Sequence, residues 1–224
     1  MYLSTIDSEG VLNKQLLNQT AIWDFTNFVY DEEESLPSFW WASTVGPEGK
    51  VYTAPDRDEY RINIYAIDGT LERVVEREYE SWKRTAYDRA WITALLTGSL
   101  SALPIEFSLK ISDIERDISW LNRGLQVDND GNIWILSSRG TREQPTGVMA
   151  TFDVFDKAGR FDRQVQVMCP EGDASEDGIF LLGDDRVLII KGYVDAAAAA
   201  FGGGGIEEDG EADPMELVCY SIKS

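Results

Sequence analysis

From Tyr60 to Ile67 apolar and polar residues alternate. Tyr60, Ile62 and Ile64 fall on one side of an extended chain, Arg61 and Asn63 on the other. Strict alternation predicts a half-buried β-strand, because successive side chains point to opposite faces. Phe161 to Val167 reads the same way, with Phe161, Arg163, Val165 and Val167 set against Asp162, Gln164 and Gln166. The runs Ile133-Trp134-Ile135-Leu136 and Val187-Leu188-Ile189-Ile190 are continuous and apolar, the pattern of strands covered on both faces.

These strands are joined by a recurring phrase of apolar strand, Asp, tight turn with Gly, and strand. It occurs at Tyr2–Leu12, again at Ile62–Leu71 with Asp68-Gly69, and again at Phe152–Phe161 with Asp156 and Gly159. A hairpin repeated at this spacing predicts the outer half of a propeller blade. Residues 38–79 read as one blade: strands at Ser38–Thr44, Lys50–Ala54, Tyr60–Ile67 and the charged edge Leu71–Glu78, with a turn at Gly46–Gly49. Residues 119–168 read as a second. Residues 178–222 read as an incomplete third whose closing strand is Met215–Ile222. Residues 1–17 supply only a half blade. The fold class expected is all-β: a single partial β-propeller domain of about three and a half four-stranded blades from a six-bladed ring, with a helical insert at 80–118. Of the two ways to complete such a ring, a longer parent chain is favoured over pairing of two arcs.

Strand order within a blade fixes where loops fall. The Gly46–Gly49, Asp68-Gly69, Asp128–Gly131, Asp156–Gly159 and Gly183–Asp185 turns share one face, and the long connections 18–37, 80–118 and 192–214 share the other. Long loops on a rigid scaffold are where binding usually resides. In the insert, Trp82, Ala86, Ala90 and Ala94 recur at helical spacing beside Tyr87, Trp91 and Leu95, with Gly98 and Pro104 as breakers. This helix reads as packed flat on the blades ahead of a lid. The aromatic segment Trp23, Phe25, Phe28, Tyr30, Phe39, Trp40 and Trp41 reads as wedge filling between blades ahead of a recognition surface. The 192–214 segment reads as a flexible loop.

The stretches "YRINIYAIDGTLERVVERE", "DNDGNIWILSSRG", "FDVFDKAGRFDRQV" and "DGIFLLGDDRVLIIKG" resemble the C-terminal half of bacterial six-bladed β-propeller proteins of the NHL and TolB-like type. The resemblance covers about residues 40–80 and 118–192. It implies the six-bladed ring and an extracytoplasmic location; most members have no assigned activity. No secretory signal is expected from Met1-Tyr2-Leu3-Ser4, so location is left open.

Composition narrows the chemistry. Forty acidic and 20 basic residues give a formal charge of −20, which argues against nucleic acid and anionic membrane surfaces as partners. No apolar run is long enough for membrane insertion. The 224 residues contain no histidine, which excludes Ser-His-Asp and Cys-His nucleophile arrangements. Zinc would have to rely on Cys169, Cys219 and carboxylates. The two cysteines are expected to be buried and unlinked. Asp128–Gly131 lacks the calcium-loop spacing, since position 126 is Gln126. The acidic tract Phe201–Asp213 reads as a solvated loop; no cofactor is expected, with loose calcium binding at this tract the lesser reading.

Arg57 and Arg139 stand at equal offsets beyond Val51 and Ile133, and Lys191 stands close to the same place beyond Val187. With Trp91 they are the candidate ligand-binding residues, suited to an anionic or carbonyl-bearing ligand. Pairing with neighbours such as Asp56, Asp58 and Glu143 is the weightier reading of these cations. The function expected is a non-enzymatic binding or scaffold module engaging a protein or small molecule on the long-loop face. The alternative is a metal-assisted hydrolase or lactonase. Self-association through the terminal blades is also expected.

Overall fold

The computed structural model describes residues 2–35, 42–101, 103–120, 123–183, 186–200 and 215–221. The chain is mostly β and most of its strands form antiparallel meanders. A two-stranded hairpin joins β1 (Tyr2–Ile6) to β2 (Leu12–Asn18). Sheet I is four-stranded, in the order β4 (Ser43–Val45), β5 (Val51–Thr53), β6 (Arg61–Tyr65) and β7 (Leu71–Glu76). Sheet II repeats that order with β9 (Leu125–Val127), β10 (Ile133–Leu136), β11 (Val148–Phe155) and β12 (Phe161–Met168). Sheet III has β13 (Gly178–Gly183), β14 (Arg186–Lys191) and β15 (Glu216–Ser221).

The repeated Asp phrase has a physical basis. Asp7, Asp128 and Asp156 open four-residue turns in which the Asp N–H donates across the turn to the carbonyls of Val11, Asn132 and Arg160 at 3.0, 3.0 and 2.9 Å. Each Asp Oδ1 also accepts two turn N–H groups: Glu9 and Val11, Asp130 and Asn132, Ala158 and Arg160, all at 2.8–3.0 Å. The fourth position needs a positive φ, and Gly10, Gly131 and Gly159 supply it at 74–87°. In sheet I the same turn starts at Ala66, and Asp68 accepts the Thr70 N–H at 2.8 Å.

The sheets stack face to face in chain order. The alternation along β10 divides one strand between two cores. Ile133 and Ile135 join Tyr52, Ile62, Ile64, Val75, Leu125 and Phe155 between sheets I and II. Trp134 and Leu136 join Phe152, Val154, Ile179, Val187 and Ile189 between sheets II and III. Buried polar groups pin both junctions. Asp153 of β11 accepts from Tyr60 Oη at 2.8 Å and from Gln164 at 2.9 Å, and pairs with Arg77. Gln126 of β9 imitates a strand backbone: its Nε2 donates to Ile179 O at 2.7 Å and its Oε1 accepts Leu181 N at 2.8 Å.

Several sequence expectations are corrected on the other side of the sheets. Segments 18–37 and 80–118 are not simply loop and helix. β3 (Phe28–Asp31) pairs in parallel with β8 (Phe107–Lys110), a contact too distant in sequence to leave a turn signal. A short helix α1 (Glu32–Ser35) follows β3. Helix α2 (Ala86–Ser101) lies within the expected insert but buries Ile92, Leu95, Leu96 and Leu100 rather than the alanine stripe, and it runs through Gly98. Thr85 and Asp88 cap it reciprocally: Asp88 N–H donates to Thr85 Oγ1 at 3.2 Å and Thr85 N–H to Asp88 Oδ2 at 2.8 Å. The 192–214 segment contains helix α3 (Tyr193–Ala200), whose Val194 joins the α2 face, Phe28 and Tyr30 in a third core. Phe28 and Tyr30 therefore fill this core rather than a wedge between sheets. Cys169 is buried as expected, but Cys219 is exposed, and neither is in a disulfide. The expected sites at Phe39, Trp40, Trp41, Asp184, Asp185, Phe201–Asp213 and Ile222 lie outside the described residues.

Candidate functional site

Antiparallel strands alternate direction, so the connections after β5, β7, β10, β12 and β14 emerge opposite the Gly-bearing turns. Their centre is an ion cluster. Glu32, 1% exposed, accepts four donors: Arg84 Nη1 and Nη2 at 2.6 and 2.7 Å, Arg57 Nη2 at 3.2 Å and Ser112 N at 3.1 Å. The Arg84 guanidinium is also held by Glu115, through Nε at 3.1 Å and Nη2 at 3.0 Å, and donates to Ser112 O. Paired, bidentate geometry is what lets charges persist away from water. Burial pushes the Glu32 carboxyl up, but the Arg84 hydrogen bonds and the Arg84 and Arg57 charges outweigh it and hold it below its ordinary value. Burial likewise depresses Arg84, and Glu32 and Glu115 more than reverse it. Arg116 is fully enclosed; desolvation, aided by repulsion from Arg57, lowers it to about 10. Burial raises the neighbouring Asp117 carboxyl, with Ser81 opposing through a hydrogen bond.

Beside this cluster, side chains reach solvent. The Trp82 ring meets two guanidiniums, Arg139 at 5.6 Å and Arg142 at 5.7 Å from its centroid. Asp88, at the start of α2, accepts Trp82 Nε1 at 3.3 Å and Arg142 Nη2 at 3.2 Å. Hydrogen bonding from Thr85, and the charge of Arg142, outweigh burial and hold the Asp88 carboxyl below its usual range. Arg139 is set by its own N–H, which donates to Tyr79 Oη at 3.0 Å, and by Nε, which donates to Glu80 O at 2.6 Å. Gln144 Nε2 closes the 139–142 turn by donating to the carbonyls of Arg139 and Arg142 at 3.0 and 2.8 Å.

The four candidate residues are not brought into one site. Arg57 is buried, paired with Glu32 and Asp58 and donating to Ile114 O. Lys191 lies 3.9 Å from both Glu171 and Glu216. Trp91 is half-buried against the third core. Arg139 is the most available, its side chain 39% exposed and its ion pair made with the solvated Glu80 carboxylate at 3.4 Å. Of the anticipated partners, Asp58 pairs with Arg57, while Asp56 binds Arg61 and Glu32 is an added partner of Arg57. Glu32, Arg84, Glu115 and Arg142 carried no local signal, since Glu32 sits in an acidic run and meets Arg84 across 52 positions.

Asp128 is spent on structure: beyond its turn, Oδ2 accepts Asn132 Nδ2 at 2.9 Å and Trp134 Nε1 at 3.0 Å. Among the described residues no three Asp, Glu or Cys side chains gather in a way that could hold a metal ion. No helix among them is long and apolar enough to cross a membrane. The chain matches no protein-family model and no curated protein.

Proposed function

We propose that the stacked sheets are blades of a β-propeller of the six-bladed NHL and TolB-like kind, acting as a non-enzymatic binding scaffold. The partner is a protein or small molecule taken on the long-connection face. Trp82 offers it a flat apolar surface and Arg139 a cation for carboxylate or carbonyl oxygens.

The observation that carries this reading is the one-sided elaboration. Short turns occupy one side of sheets I and II and of the β1–β2 hairpin. On the other, α2, α3, β3 and β8 have their own core and ion cluster, an ordered layer rather than slack loops. The repeated stacking of four-stranded meanders supports the propeller.

The test is a thermal-shift and calorimetric screen of carboxylates, phosphates, sugars and unstructured peptides, with hydrogen exchange on each ligand found. Protection is expected across 79–89 and 138–147, with binding weakened about tenfold by Trp82→Ala. Protection confined to the Asp7–Gly10, Asp128–Gly131 and Asp156–Gly159 turns would contradict the reading.

A further inference from the structure

The guanidiniums around Trp82 and in the ion cluster beneath it are held to different degrees. Arg57 and Arg84 are buried and spent on Glu32. Arg142 is turned inward. Its Nη1 donates to Ser138 O at 3.0 Å and to Thr141 Oγ1 at 3.2 Å, and its Nη2 donates to Asp88 Oδ1 at 3.2 Å with Glu115 at 3.7 Å. The Asp88 carboxylate is itself fixed, because it caps α2 through Thr85 and accepts the Trp82 indole N–H. An entering anion finds these three guanidiniums already enclosed or bonded.

Arg139 differs. Its backbone N–H is anchored on Tyr79 Oη at 3.0 Å and its Nε on Glu80 O at 2.6 Å, which sets the guanidinium beside the Trp82 ring. Its Nη2 faces a carboxylate that is not held: Glu80 Oε2 stands at 3.4 Å on a side chain 90% exposed. An exposed pair of this kind adds little stability and exchanges readily. The anchor uses the Glu80 main-chain carbonyl, so Arg139 stays in place when the Glu80 carboxylate swings into water.

We propose that the Glu80 carboxylate stands where the ligand's own carboxylate goes, and that this face takes a monocarboxylate carried on an apolar ring. The inference rests on the reading of this face as the binding surface, and adds the ligand class and the residue that competes for it. The entering carboxylate exchanges for Glu80 at Arg139 Nη2 while its ring lies against Trp82. One exchange keeps Arg139 paired. A second carboxylate on the ligand gains no further guanidinium, since Arg142 stays with Asp88 and Glu115, and it meets the repulsion of a chain of charge −20. The face therefore selects one negative charge and rejects two.

The test is a titration with benzoate, its neutral counterpart benzamide, and the dianion terephthalate. It is read on the Trp82 indole N–H resonance, assigned by its loss in Trp82→Phe, at low ionic strength so that exposed charges are not screened. Benzoate is expected to bind more tightly than either of the other two. Glu80→Gln removes the competitor and is expected to tighten benzoate about threefold while leaving benzamide unchanged. Glu72→Gln removes an equal charge from β7, where Glu72 pairs with Lys50, and is expected to alter neither. Arg139→Gln is expected to bind benzoate no better than benzamide. The proposal is overturned by benzoate that leaves the resonance unmoved, by terephthalate binding as tightly as benzoate, by Glu80→Gln that leaves benzoate binding unchanged or weaker, or by an equal gain for benzamide or in Glu72→Gln. A peptide or sugar that protects 79–89 and 138–147 while Glu80→Gln has no effect on benzoate removes this proposal alone. Ligand protection confined to the short turns removes the scaffold reading with it.

Discussion

On the short-turn side, Asp128 and Asp156 reach N–H groups two and four residues ahead, so each turn is closed by local bonds, to which Arg73 Nη1 adds one from the neighbouring sheet by donating to Lys157 O at 3.1 Å. On the long-connection side, Glu32 reaches Arg84 and Ser112, and Phe28 packs with Ile92 and Val194. The turns of the first side are closed by neighbours in sequence, while the second side is assembled by residues 25 or more positions apart. Local bonding resists single replacements because each turn fails alone. A shared buried cluster fails as a unit.

The comparison is sharpest at Arg84. Removing it strands Glu32 inside the protein without its main counter-charge, so Arg84→Ala is expected to cost about 3–5 kcal/mol in denaturant unfolding. Replacing both partners, as Glu32→Leu with Arg84→Met, should cost less than that single change, because no buried charge is orphaned. Equal or greater loss in the double variant would break the account of the cluster. Ile92→Ala, at the centre of the third core, is expected to cost about 3 kcal/mol, read from the same curves.

Acid should act through the same cluster. The Glu32 carboxyl is held below its ordinary 4.5 in the folded chain, so its contribution is present above that value and is lost as pH falls through the folded value. The stability gap between wild type and Glu32→Gln should therefore be constant near neutrality and narrow below pH 4.5. A gap that widens on acidification would reverse the sign of the argument. The smallest effect is expected on the other side: Asp128→Ala loses one turn and about 1–2 kcal/mol, leaving exchange in the long-connection layer unchanged.

The same difference in range decides what could be read from the chain. Sheets I to III were legible because alternation, apolar runs and Asp–Gly turns are written within a few residues of each strand. Trp134 and Ile135 entering different cores follows from period-two alternation alone. The β3–β8 pairing was not legible, since parallel strands need no turn between them and these are four residues long. Of the residues α2 buries, Leu95 stood in the helical rows read from the sequence, while Ile92, Leu96 and Leu100 did not. Of the site, Arg139 was found from its offset in the repeat. Arg57, found the same way, belongs to the cluster beneath. Trp82 was read as part of a helix that begins only at Ala86, so its contacts with Arg139 and Arg142 went unseen.

The most direct test is hydrogen exchange by mass spectrometry on wild type and Arg84→Ala at a denaturant concentration where both remain folded. If the long-connection side is one layer held by a shared cluster, peptides covering β3, α2 and β8 lose protection together in the variant, while β5–β6 and β10–β11 keep theirs. Loss spread evenly over the sheets and the layer would contradict a scaffold bearing a separately organised face.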